Sequence, residues 1–74
     1  MIRPLLEGAS SVVDVIRKFL ASYKRNPTRK EFFNLCLQLG NAPEEIDDYI
    51  DTAIDARIVD YDERTDILTN ATGI

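Results

Sequence analysis

The sequence predicts a small, mainly α-helical fold that ends in a β-hairpin, which is an α+β arrangement. Apolar residues recur at helical spacing in three successive segments. Two short runs rich in β-branched and aromatic residues follow, 57–61 and 66–69, with a polar four-residue connection between them. The chain has 74 residues, of which 45% are hydrophobic and 30% charged, so it suffices for one domain around one core.

The first helix is expected to begin near Ser10 or Ser11. Ser11 and Asp14 have the spacing of a capping serine and a first-turn acid. The helix should stop before Pro27, since the residue preceding a proline is forced out of helical geometry. Its apolar stripe consists of Val12, Val15, Ile16, Phe19, Leu20 and Tyr23.

The second helix is expected from about Arg29 to Leu39. Thr28 and Glu31 form a capping-box pattern, and Gly40 follows where a left-handed cap is expected. The inward stripe consists of Phe32, Leu35, Cys36 and Leu39. Two further apolar residues, Phe33 and Leu37, lie together on a flank that needs cover from the N-terminal arm or from a second molecule.

The third helix is expected over residues 43–57, with Pro43 at its first position. Its core stripe consists of Ile46, Tyr49, Ile50, Ala53 and Ile54. The chain thus divides into an arm (1–9), a folded domain (10–69) and a flexible tail (70–74). The residues predicted to be mostly buried in one core are Phe19, Leu20, Phe32, Leu35, Ile46, Ile50 and Ile54.

The order of these elements resembles the winged helix-turn-helix superfamily over residues 10–69. In that superfamily the second helix starts at a Thr-x-x-Glu cap and ends in glycine, as residues 28–31 and Gly40 do here. An aliphatic residue six positions after the glycine anchors the third helix, and Ile46 stands there. Residues 56–59 occupy the place of the usual Ala-Gly-Leu-Ile step into the first wing strand. The resemblance implies a three-helix winged helix-turn-helix whose third helix usually enters the DNA major groove.

Two features depart from the pattern of the superfamily. The second helix is about one turn longer than usual, and Arg57 stands in place of the usual glycine. If the backbone at Arg57 requires a positive φ, the side chain adds a steric cost.

The third helix has the wrong charge for reading DNA. Its outer side carries an acidic stripe, which consists of Glu44, Asp48, Asp51 and Asp55. Affinity for DNA depends on neutralising phosphates, so these carboxylates oppose docking, and the acidic hairpin adds to the objection. Either the stripe only solvates the surface and complements the helix dipole, or it meets a basic partner such as the basic end of a second copy. If Asp48 and Asp51 are buried or paired within the molecule, the second interpretation loses its motive.

Basic residues concentrate in the first part of the chain. Residues 1–30 hold seven basic and two acidic residues, whereas residues 31–74 hold two basic and eleven acidic residues. The basic cluster around the first interhelical turn consists of Arg17, Lys18, Lys24, Arg25, Arg29 and Lys30. It is either a solvated turn or a site of phosphate contact.

The composition argues against catalysis and against a membrane span. Without histidine, Ser-His and Cys-His nucleophiles and histidine metal sites are excluded, and Cys36 lies on a core stripe. We expect no enzyme activity, no metal or other cofactor and no small-molecule substrate. No apolar run approaches the roughly 18 residues of a membrane helix. A single cysteine and the lack of a secretory signal favour a cytoplasmic location.

Two functional hypotheses follow. The first is a non-enzymatic protein-interaction or self-association module, with a protein partner or a homodimer formed through the acidic third helix and the Phe33/Leu37 flank. The alternative is a DNA-binding transcriptional regulator that contacts DNA through the basic Arg17–Lys30 end instead of the third helix.

Overall fold

The computed structural model describes residues 6–72 and confirms the α+β fold class. The elements are α1 (Ser11–Tyr23), α2 (Arg29–Gln38), α3 (Pro43–Asp55), β1 (Val59–Asp62) and β2 (Ile67–Asn70). Three helices followed by an antiparallel hairpin are compatible with a winged-helix layout. Residues 1–5 of the predicted arm and residues 73–74 of the predicted tail lie outside the described residues.

α1 begins at Ser11, as predicted, but its cap differs from the prediction. Ser10 flanks the helix without a side-chain cap, so the predicted Ser11–Asp14 capping pattern is wrong. The Ser11 hydroxyl instead accepts hydrogen bonds from the backbone N–H groups of Glu7 (3.0 Å) and Gly8 (3.2 Å) and donates to the Gly8 carbonyl (2.6 Å). The Ser11 side chain therefore hydrogen-bonds to the tight turn before the helix instead of capping the helix.

The capping box of α2 is confirmed. The Thr28 hydroxyl accepts from the Glu31 N–H (3.1 Å), and the Glu31 carboxylate accepts from the Thr28 N–H (3.1 Å). At the other end Gly40 has a φ of 100°, as predicted for a left-handed cap. The Asn41 N–H then donates to the Cys36 carbonyl (3.1 Å), which closes a Schellman motif.

A second Schellman motif ends α3, with Arg57 in the glycine position. Arg57 has a φ of 60°, and its N–H donates to the Ile54 carbonyl (3.0 Å). The Ile58 N–H donates to the Ala53 carbonyl (3.0 Å). The helix is thus shorter than the predicted 43–57, because its last residues turn the chain toward β1.

The hairpin lies against the connection between α1 and α2. β1 and β2 pair antiparallel, with Asp62 opposite Ile67. The Leu68 N–H donates to the Pro27 carbonyl (2.9 Å), and Thr28 forms an isolated bridge with Ile67. These bonds place the hairpin beside the start of α2.

The core takes residues from every helix and strand, and its fully buried side chains include Val12, Ile16, Phe32, Cys36, Ile46, Ile50, Val59 and Leu68. Of the predicted core residues, Phe19, Phe32, Ile46 and Ile50 are buried, whereas Leu35 and Ile54 are half-buried. The prediction for Leu20 is wrong, since this residue is 42% exposed. α1 packs on β2 and α3, while α2 packs mainly on α3, so the C-terminal part of α1 has less of its apolar stripe covered.

Candidate functional site

The acidic stripe faces solvent along α3. Glu44, Asp48, Asp51 and Asp55 are all exposed, whereas Ile46 and Ile50 on the opposite side are fully buried. The amphipathic period of the helix produces this separation, because residues four apart share a face.

One cation reaches the stripe from α2. The Arg29 guanidinium donates to the carboxylates of Asp51 (2.9 Å) and Asp47 (3.4 Å). The Arg29 side chain is only 24% exposed, against 61% for Asp51. Asp47 and Asp51 therefore have a basic partner within the molecule. Arg29 is 18 residues from Asp47 in the chain, and only the packing of α2 on α3 brings them together.

Arg29 also contacts the hairpin. Its guanidinium lies 5.7 Å from the ring centroid of Tyr61, and the Tyr61 hydroxyl donates to the Asp66 carboxylate (2.5 Å). The backbone N–H of Lys30 donates to the same carboxylate (3.2 Å). The hydrogen bond between Tyr61 and Asp66 raises the pKa of Tyr61 and lowers the pKa of Asp66. We call Arg29, Asp47, Asp51, Tyr61 and Asp66 the Arg29 network; it ties α2, α3 and the hairpin together.

Three acids of the stripe remain outside this network. Among residues 6–72, no ion pair involves Glu44, Asp48 or Asp55, and all three are exposed. We call them the open carboxylates. Asp51, by contrast, is paired within the molecule, so its presence is explained by the fold.

Two residues of the predicted basic cluster, Arg25 and Arg29, are paired with carboxylates. The Arg25 guanidinium makes a bidentate pair with Glu31 (2.7 and 2.6 Å). The hydrogen bond from Arg25 lowers the pKa of Glu31 to about 2, and the N–H of Thr28 adds to this effect. Since Arg29 is also engaged, the cluster members without an ion pair among the described residues are Arg17, Lys18, Lys24 and Lys30.

The predicted apolar flank is only partly open. Phe33 is half-buried and packs against the core, whereas Leu37 is 41% exposed. Another apolar surface lies between α1 and α2, where Phe19, Tyr23 and Leu35 line two adjoining depressions. The sequence feature that belongs to this surface is the apolar stripe of α1, which continues as far as Tyr23. That stripe predicted buried core residues and not an exposed apolar surface.

Reactive groups are few in the described part of the chain. Cys36 is a fully buried free thiol, and burial raises its pKa to about 12, so it is a packing residue and not a nucleophile. Within residues 6–72, no group of three or more Cys, Asp or Glu side chains is arranged to hold a metal ion. Over the same residues, no helix has the length and apolar character needed to cross a membrane.

Comparison with known proteins gives no relative: no protein-family model matches the chain, and neither a curated protein nor a solved structure matches it significantly.

Proposed function

We propose that this chain is a non-enzymatic interaction module of the winged helix-turn-helix type, which binds a basic protein surface through the open carboxylates of α3. The observation that carries the proposal is the exposure of Glu44, Asp48 and Asp55 without an ion pair among the described residues.

The energetics of α3 support this proposal. Glu44 and Asp48 are four residues apart, as are Asp51 and Asp55, and like charges at this spacing destabilise a helix by a few tenths of a kcal/mol. Arg29 compensates Asp51 but does not reach Asp48 or Asp55. Aspartate is also a weaker helix former than glutamate. The helix dipole accounts for Glu44 in the first turn. Stability of the isolated helix gives no reason for Asp48 and Asp55, whereas a basic partner does.

The geometry is less favourable to DNA. Phosphates would be repelled by the exposed carboxylates of α3, and the exposed Asp60 and Glu63 of the hairpin would add to this repulsion. At the basic end, Arg25 and Arg29 are already held by carboxylates. The DNA-binding alternative would therefore depend on Arg17, Lys18, Lys24 and Lys30. The experiment described next can distinguish it from binding of a basic protein.

The test measures fluorescence anisotropy with two labelled probes, a lysine-rich helical peptide and a short duplex DNA. The variant that tests α3 combines Glu44→Gln, Asp48→Asn and Asp55→Asn, which leaves the Arg29 network intact. The matched control combines Asp14→Asn, Asp60→Asn and Glu63→Gln; it removes the same charge from exposed acids elsewhere.

We expect the peptide to bind in a salt-sensitive manner, with the α3 variant weakening it about tenfold and the control about threefold or less. Equal weakening by both variants would show attraction to net charge alone and would contradict the proposal. Salt-sensitive DNA binding that is lost on changing Lys18, Lys24 and Lys30 to glutamine would favour the regulator instead.

A further inference from the structure

A second surface, an apolar groove between α1 and α2, is independent of the open carboxylates. Two depressions of about 330 and 250 Å³ adjoin there and share Phe19, Tyr23 and Leu35. Leu39 extends the apolar lining at one end. Tyr23 is 64% exposed and Leu39 38% exposed, so the groove presents apolar area to solvent.

Side-chain contacts hold the walls of the groove. The rings of Phe19 and Tyr23 lie 4.5 Å apart between centroids, and the Arg25 guanidinium lies 5.1 Å from the centroid of Phe19. The bidentate pair with Glu31 fixes Arg25 to the first turn of α2. The groove is thus formed before any partner arrives, which limits the entropy lost on binding.

The charged residues that line the groove define what it can accept. Lys18 lines one depression and Arg25 the other. The carboxylate that lines the groove, Glu31, is already neutralised by Arg25. Lys18 therefore places a positive charge beside apolar area without an ion pair among the described residues, and the one acid of α1, Asp14, lines a different depression.

We propose that this groove binds an amphipathic helical segment of another protein, with apolar residues at helical spacing and acidic residues beside them. Apolar side chains would enter the two depressions, and a carboxylate would meet Lys18 at the rim, since Arg25 is already paired with Glu31. The Asn34 and Gln38 amides, which also line the groove, can hydrogen-bond to such a segment.

A second copy of this chain fits the groove less well. Its acidic helix has Ile46 and Ile50 fully buried, so that helix would offer carboxylates without apolar residues. Pairing two grooves face to face would place two Lys18 side chains in one interface, where the carboxylates that line the grooves are already paired with Arg25. The partner of the groove is acidic, whereas the partner of α3 in the proposed function is basic, so the two proposals can fail separately.

The test uses two labelled peptides of about four helical turns that share the same leucine positions. One carries glutamate at the remaining positions and the other carries lysine. Groove variants are Tyr23→Ala, Leu39→Ser and Lys18→Glu, all at exposed residues. Matched controls are Leu37→Ser, an equally exposed leucine of α2, and Arg17→Glu, which is adjacent to Lys18 but lines a different depression. Circular dichroism verifies that each variant is folded.

We expect the acidic peptide to bind, with each groove variant weakening binding about tenfold or more and each control about threefold or less. The lysine peptide should not compete for the groove. The proposal would be overturned if the acidic peptide did not bind or if both peptides bound equally at the groove. It would also be overturned if Leu37→Ser and Leu39→Ser weakened binding equally. Duplex DNA that displaces the acidic peptide would also overturn it, since the rim would then be a phosphate site.

Discussion

Arg57 adopts a left-handed conformation that glycine adopts at much lower cost. Its φ of 60° closes the Schellman motif after α3, where a residue with a Cβ is strained by about 1 kcal/mol or more. We predict that Arg57→Gly raises the free energy of unfolding by about 1 kcal/mol, measured by urea denaturation. Arg57→Ala, which keeps the Cβ, should leave stability nearly unchanged. A lower stability for the glycine variant would contradict this account of α3.

Asn41 is a buried amide that holds the segment before α1. Its side chain is 3% exposed, accepts from the Leu6 N–H (3.4 Å) and donates to the Leu6 carbonyl (3.1 Å). Leu6 is itself buried. We predict that Asn41→Ala lowers the free energy of unfolding by about 1–3 kcal/mol, since it removes the partner of buried backbone groups. Asn34→Ala on the exposed side of α2 serves as the control and should change stability much less.

Glu31 makes stability depend on acidity. Its pKa is lowered to about 2 by Arg25, so it binds fewer protons in the folded state than in the unfolded state at low pH. The stabilisation is therefore present above the usual glutamate pKa of about 4.5 and is lost as pH falls toward 2. We predict that Glu31→Gln, which keeps the capping box, makes urea-measured stability less pH-dependent in this window. Identical pH profiles for wild type and variant would contradict the role of this pair.

At the scale of elements, the Arg29 network connects α2 to α3 and to the hairpin. Its acids are largely exposed, so the pair of Arg29 with Asp51 should contribute modestly. We predict a coupling free energy of about 0.5–1 kcal/mol in a double-mutant cycle of Arg29→Gln and Asp51→Asn. The same cycle with Asp48→Asn should give a much smaller value, since Asp48 has no ion pair among the described residues. Equal coupling of both acids to Arg29 would mean that the charge acts at long range and not through this contact.

Local signals predicted most of the elements, because caps and periodicity depend on neighbours in sequence. Thr28 with Glu31, Gly40 and Pro43 each mark a helix end that the structure confirms. The predicted cap at Ser11 was wrong because the Ser11 hydroxyl hydrogen-bonds to the turn before the helix. The predicted burial of Leu20 was wrong because an apolar stripe shows which side of a helix is apolar. It does not show how far along the helix a neighbouring element covers that side.

The candidate surfaces were less predictable, since they depend on contacts between distant residues. The periodicity of α3 predicted the exposed acids. The pairing of Arg29 with Asp51 spans 22 residues and follows from the crossing of α2 and α3, which no local pattern encodes. The groove at Phe19 and Tyr23 likewise exists because α1 and α2 pack on other elements in preference to each other.

The molecule as a whole has two candidate surfaces of opposite character. α3 presents carboxylates that the fold leaves unpaired among the described residues, and the α1–α2 groove presents apolar area beside Lys18. The third helix of this three-helix and hairpin fold is thus an acidic surface, and in our proposal it suits a basic protein partner better than a phosphate backbone.

If the open carboxylates of α3 form a protein-binding surface, titration with the lysine-rich peptide should change the amide NMR shifts of the labelled protein at that surface. We predict the largest saturable changes at Glu44, Asp48 and Asp55 and their neighbours, reduced at moderate salt. Changes spread evenly over all exposed acids, or saturable changes confined to Lys18, Lys24 and Lys30 on addition of duplex DNA, would contradict it.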